Sequence, residues 1–186
     1  MAENSTFFTL SFDDITNDES EAKTLRRWSQ APDGLIVISG GPGSGKTTTA
    51  YACLVEIARS SSGGITTVED IVRTTVDGVN HITVDGNDDA HLDGFNRALQ
   101  SGAQVVFVNS SPSLLKVAFE SAVAGRLILA QVEADSATHA AELVADAAGT
   151  AINDHLVGVV WQTLSTDSET GQRSAHYNFV SGALDR

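Results

Sequence analysis

Residues 40–47 read GGPGSGKT and satisfy G-x-x-x-x-G-K-[ST] in full. Gly40, Gly43 and Gly45 let the backbone turn so that successive N–H groups point inward. Those donors, together with a helix N-terminus, form a nest for anionic oxygens. Lys46 adds a point charge for the terminal phosphates, and the Thr47 hydroxyl suits Mg²⁺. The pattern therefore predicts a site for a nucleoside triphosphate or diphosphate built from Gly41, Pro42, Gly43, Ser44, Gly45, Lys46, Thr47 and Thr48. A second stretch bears on chemistry by what it lacks. Residues 105–113 read VVFVNSSPS, an apolar strand that ends in Asn109, Ser110, Ser111 and Pro112, where a nucleotide-cleaving protein usually has a carboxylate.

The loop has the flanks it needs. GLIVISG before it is a continuous apolar run, as in a parallel strand buried on both faces. After it, Ala50, Leu54 and Ile57 share one side of a helix over 46–59, which SSSGG ends. ITTV, HITV, QVVFV and RLILAQV read as further strands. Helical spacing recurs over 89–101, in SLLKVAFESAVAG, and in SATHAAELVADAAG, where Ser136 is a candidate cap. INDHLVGVVWQTL reads as a helix running into a strand, and AHYNFV alternates like an outer strand. Helices alternating with strands give an α/β domain, a three-layer P-loop fold with a mostly parallel sheet. The expected division is a tail and short helix over 1–32, with FFTLSF in a tail or edge strand, and the nucleotide-binding domain over 33–186.

Bulk properties exclude other classes. The 186 residues suit one domain, and 41% are hydrophobic. With 24 acids against 11 bases the net charge is −13, which argues against a nucleic-acid face and against anionic lipid. The single cysteine, Cys53, excludes an internal disulfide and a zinc cluster, and reads as a buried helix residue. No apolar run approaches bilayer length, and MAENSTFF lacks the regions of a signal peptide, so the expected location is the cytoplasm.

From about residue 33 to 180 the chain resembles the motor ATPases of type II secretion and type IV pili. DGLIVISGGPGSGKTTTAYA is similar to that family's P-loop segment, and ITTVEDIVR to its acidic box. DGVNHITV follows at the usual distance. FNRALQSGAQVVFV resembles the helix and strand of its Walker B motif, and FESAVAGRLILAQVEADSA occupies its histidine-box segment. VVWQTL and AHYNFV resemble the closing antiparallel hairpin of retraction-type members. The resemblance implies a RecA-like core, a nucleotide between subunits of a hexameric ring, and a cytoplasmic machine that moves pilin-like subunits. It implies that Glu69 and Asp70 help hold Mg²⁺ or the water beside the γ-phosphate, with Thr47 as the third metal group and Glu69 as the candidate base.

The departures from the family pattern are specific. Asn109 and Ser110 stand at its Gly-Glu positions, and Pro112 and Ser113 at its Arg-Asp positions. Ser110 is too weak a base to replace a carboxylate, and general-base help is worth about 10² to 10⁴ in rate. Arg126 and Glu133 replace the two histidines, and Glu133 is expected to face solvent. His81 and His91 fall in a segment that the family places away from the phosphates; His139, His155 and His176 read as surface or packing residues. Ile71 and Arg73 replace a proline and an acid, and surface pairing is the expected role of Arg73 and Arg97. The family's N-terminal domain and four-cysteine module have no counterpart in these residues, which bears on ring formation.

The expected function is an Mg-ATP- or Mg-ADP-binding domain with weak or no hydrolysis. Its expected role is regulatory or scaffolding, as a homo-oligomer or beside an active motor, reaching the inner membrane only through partners. The alternatives are an active ATPase and an interaction domain whose loop is a relic. A P-loop kinase fits less well, because TTVEDIVRTTVDG suggests neither a lid nor an acceptor site.

Overall fold

The computed structural model describes residues 8–109, 111–148, 154–168, 171 and 173–182. Seven strands form one sheet: β1 Gly34–Ser39, β2 Gly64–Glu69, β3 Val79–Thr83, β4 Ala103–Asn109, β5 Leu127–Val132, β6 Leu156–Thr166 and β7 Arg173–Ser181. Their order is β3-β2-β4-β5-β1-β6-β7. Every neighbouring pair is parallel except β6 and β7. This is the RecA-like sheet with a C-terminal antiparallel hairpin that the sequence predicts.

The helices are α1 Phe12–Ile15, α2 Glu19–Ser29, α3 Lys46–Ser60, α4 Asp88–Gln100, α5 Pro112–Val123 and α6 Ala137–Ala148. They cover both faces of the sheet. Strand alternation splits β1 between the two resulting cores. Ile36 and Ile38 pack with α1, α2 and α3, whereas Leu35 and Val37 pack with α4, α5 and α6. β1 is buried throughout, as its unbroken apolar run requires. Ser136 caps α6 by accepting the His139 amide at 3.0 Å.

Two local expectations change. Phe12–Ile15, expected in a tail or edge strand, is a helical turn. The Asp14 carboxylate accepts from the Ser11 amide and hydroxyl, each at 2.7 Å, and Phe12 and Ile15 turn into the α3-side core. The helix expected at the start of INDHLVGVVWQTL falls largely outside the described residues, and from Leu156 onward the segment is strand β6. α2 is anchored by Trp28, whose ring packs edge-on to Phe179 and lies over Gly158. A Cβ at Gly158 would come within 2.2 Å of that ring, so the close approach of α2 to β6 needs a glycine there. No helix among the described residues is long and apolar enough to cross a membrane.

Candidate functional site: a glycine cradle flanked by two recesses

The loop of residues 40–45 leaves the C-terminal end of β1 and enters α3 at Lys46. Ligands of open α/β sheets bind at these carboxyl ends. Gly40, Gly43 and Gly45 have φ of 147°, 73° and 89°, which L side chains rarely adopt. A Cβ at Gly40 would also stand 2.4 Å from the Gln162 carbonyl. β6 runs past the end of β1 and braces the loop, because Gln162 Nε2 donates to the Ser44 carbonyl at 2.7 Å. The turn is thereby held from outside.

Lys46 is buried, and its Nζ donates to the carbonyls of Gly40 and Gly41, both at 2.9 Å. Burial lowers its pKa from the ordinary value, and the nearby Glu133 carboxylate acts in the other direction. Thr47 is exposed and donates to Gln131 Oε1 at 3.1 Å, while Thr48 is half-buried beside it.

A 260 Å³ cleft opens beside Lys46 between the ends of β2, β4 and β5. Asp70, Asp88, His91, Asn109, Gln131 and Glu133 line it. Glu133 is exposed, as expected, but it stands on the cleft rim and acts on Lys46 rather than facing bulk water alone. His91 corrects an expectation. It lies in the cleft, not away from it, because α4 packs with its first turn against the end of β2. Its Nδ1–H donates to the Asn87 carbonyl at 3.0 Å, and its Nε2 lies 2.6 Å from Asp70 Oδ1. That approach is off the hydrogen-bonding direction, so it is a close polar contact rather than a formed hydrogen bond. Sequence reading missed His91 because a histidine on a helix face next to Leu92 and Phe95 looks like packing.

Glu69 and Asp70 do not act as a pair. Neighbouring strand residues point to opposite faces, and Glu69 turns toward α3. It is buried, and its two oxygens accept from the Tyr51 hydroxyl at 2.9 and 3.1 Å. Burial, then the Glu69 charge, raises the Tyr51 pKa, so this hydroxyl stays protonated and donates. His81 Nδ1 lies 3.8 Å from Glu69. The Val76 amide donates to His81 Nε2 at 3.3 Å, which leaves the proton on Nδ1 facing Thr67 Oγ1 at 2.8 Å. Glu69 thus belongs to a closed polar network on the α3 side of the sheet.

The end of β4 carries no acid either. Asn109 lines the cleft, and its Oδ1 is buried without a partner. Ser110 lies outside the described residues. Ser111 stands at the N-cap position of α5, its Oγ is 2.7 Å from Ser113 Oγ, and Ser113 donates to Asp88 at 2.6 Å. Those bonds lower the Asp88 pKa, the Ser113 hydroxyl foremost. Ser111 and Ser113 therefore stand at the start of one helix and tie it to the first turn of another. Arg126 lies at the opposite end of β5, where Nε donates to the Ala103 carbonyl at 3.3 Å. Cys53 is buried, and burial pushes its thiol up to about 12, as an inert helix residue requires.

The cradle fits a phosphate chain: its glycines adopt the needed turn, and Cβ positions at Gly41 and Gly43 open onto free space. Thr47 and Asp70 fit a hard cation as oxygen donors near Lys46. Glu69 does not, because its oxygens are committed to Tyr51.

The sequence pattern of the family described as "Type II/IV secretion system protein" matches residues 2–168, and this chain belongs to that family. A curated relative is the type IV pilus retraction ATPase PilT of Pseudomonas aeruginosa, 25% identical over 168 residues, covering 83% of this chain and 49% of that protein. Among solved structures, the pilus retraction motor PilT with bound ADP superposes with a TM-score of 0.81 at 21% identity, over 94% of this chain and 54% of that one. The ATPase DotB of Legionella pneumophila gives 0.77 at 15% identity, over 96% and 53%. These superpositions establish the RecA-like ATPase fold. The chain spans about half the length of the relatives it matches.

Proposed function

We propose that this chain is an Mg-nucleotide-binding RecA-like domain with weak or no hydrolysis of its own. Its role is to partner an active secretion or pilus motor, as a regulator or scaffold, in the cytoplasm. Residues 33–186 form the binding domain. The phosphates of ATP or ADP lie on the amides of Gly41, Gly43, Ser44, Gly45, Lys46, Thr47 and Thr48, with Pro42 shaping the turn without donating. Lys46 Nζ leaves the carbonyls of Gly40 and Gly41 for the terminal phosphates, a short move within the same loop. Thr47, which here donates to Gln131, and Asp70 in the cleft would hold the magnesium ion. Bound magnesium would neutralise phosphate charge and orient the terminal group. That the superposed PilT structure holds ADP supports a nucleotide here.

One observation carries the low turnover. The strand end that should present a base presents Asn109, and the nearest acid of the motif, Glu69, is held by Tyr51 on the other face of the sheet. An amide cannot take a proton from water at neutral pH, and loss of that help slows cleavage without weakening the phosphate grip. Phosphate release compared between the wild type and Lys46→Ala tests this. Turnover at the level of the variant is expected, and appreciable Lys46-dependent turnover would refute it.

A second reading, a working ATPase, is favoured by the carboxylates of Asp70, Asp88 and Glu133 along the same cleft. The same assay decides for or against it. Absence of Mg-ATP binding at millimolar nucleotide would instead make the loop a relic.

A further inference from the structure

The other flank of the phosphate loop faces the C-terminal hairpin across a 380 Å³ recess that Pro42, Ser44 and Gln162 help line. Gln162 of β6 and Tyr177 of β7 stand opposite each other in the hairpin register, and both are buried. Gln162 Nε2 donates to the Ser44 carbonyl at 2.7 Å, and the Tyr177 hydroxyl lies 2.9 Å from Thr49 Oγ1 in the first turn of α3. We propose that Gln162 and Tyr177 are positioning residues that aim the backbone amides of Gly45 and Lys46 at the phosphate chain. The inference rests on the phosphate reading above and adds the hairpin to it as the part that orients the donors.

Three observations carry it. The first is peptide geometry. In a trans peptide the C=O and the N–H that follows it point in opposite directions. A donor reaching the Ser44 carbonyl from β6 therefore turns the Gly45 N–H away from β6. One residue on, the Gly45 carbonyl accepts from the Thr49 amide at 3.1 Å, which by the same rule turns the Lys46 N–H back toward the loop. Thr49 is buried and its side chain is held by Tyr177, so the hairpin brackets both donors. Burial raises the Tyr177 pKa, which keeps that hydroxyl protonated. The second is the lack of slack. A Cβ at Gly45 would stand 3.2 Å from Gln162 Nε2, and one at Gly40 would stand 2.4 Å from the Gln162 carbonyl. The loop thus meets the same β6 residue at Gly40, Ser44 and Gly45. The third is an unmade hydrogen bond. Gln162 Oε1 is buried without a partner. An open buried acceptor costs stability, and an apolar side chain of the same length would avoid that cost. Stability therefore does not account for an amide at this position, whereas its bond to the loop does. A bonded carbonyl also polarises its peptide and makes the Gly45 N–H a stronger donor.

The test uses the full chain, with Mg-tripolyphosphate and Mg-ATP titrated calorimetrically and the Gly45 amide followed by heteronuclear NMR. Gln162→Met keeps the length and removes the donor; Tyr177→Phe removes only the hydroxyl. Gln162→Met is expected to bind both probes roughly three- to tenfold more weakly, the scale of one hydrogen bond, with an unchanged or higher melting temperature. Tyr177→Phe should weaken both probes by a smaller factor, and it carries the test if the methionine variant folds poorly. When wild type binds tripolyphosphate, the Gly45 amide proton should move downfield, and this movement should shrink in either variant. A purely structural role would leave it as in wild type. Variants that bind both probes like wild type, with the same Gly45 movement, overturn the positioning role and leave the phosphate site standing, even if they melt earlier. A loss confined to ATP overturns it too, because the loop amides serve both probes alike. Failure of wild type to bind either probe overturns the phosphate reading and the positioning role with it.

Discussion

Lys46 is a buried cation in a loop of glycines, and its protonation links the site to pH. Burial lowers its folded pKa below the ordinary lysine value, so the unfolded chain holds this proton more firmly than the native protein. The sign follows: this group's contribution to stability is less favourable below the folded value and improves as pH rises through it toward the unfolded value. A bound polyphosphate reverses the preference, since it favours the charged form. ATP affinity is therefore expected to fall as pH rises from about 7 toward 10, the approach to the ordinary lysine range. Calorimetry at a series of pH values in buffers of different ionisation enthalpy checks this. Proton uptake on binding is predicted in the alkaline part of the series, and an affinity flat with pH there would show that Lys46 does not meet the phosphates. At this scale the turn of the glycine loop was legible, because it is made locally, through the φ of Gly40, Gly43 and Gly45. His91 was not, because its position depends on how α4 meets the end of β2.

β2 shows what a local pattern hides. ITTVEDIVR reads as an acidic pair, yet strand alternation sends Glu69 to the α3 side and leaves Asp70 in the cleft with His91. The period of two was available in the sequence; the partner was not, since Tyr51 comes from another element. The assignment of Glu69 to a structural network is tested by Tyr51→Phe. Removing that donor leaves a buried carboxylate with its best partner gone, at a cost of about 1.5–3 kcal/mol for a hydrogen bond to a charged group. Urea denaturation should register this loss while Mg-ATP affinity stays near wild type. A variant of unchanged stability that loses magnesium-dependent binding would return Glu69 to the site. The end of β4 carries a similar lesson. Its serines were read by what they fail to be, whereas Ser111 and Ser113 tie the start of α5 to Asp88 on α4.

Across the whole molecule, alternating apolar runs were enough to define the α/β class with a mostly parallel sheet, whereas the strand order rests on pairings between distant segments that no local pattern encodes. The N-terminal segment was harder to read, because its conformation depends on long-range contacts. Phe12, Leu25 and Trp28 share one core with α3 and β6, and no spacing within residues 8–29 reveals that. The tightest of these contacts is Trp28 over Gly158. Gly158→Val should drive the indole off the sheet and lower stability by about 1–3 kcal/mol or more, the cost of overpacking. The melting temperature and the emission of Trp28 report it. An unaltered melting curve would mean that α2 is dispensable to the fold.

The site is proposed to keep its phosphate grip without an effective base beside it. Binding and turnover of Mg-ATP, measured on one preparation with Lys46→Ala as the control, address both halves together. The prediction is saturable, Lys46-dependent binding with phosphate release no faster than that of the variant. Saturable binding accompanied by sustained Lys46-dependent hydrolysis would contradict it.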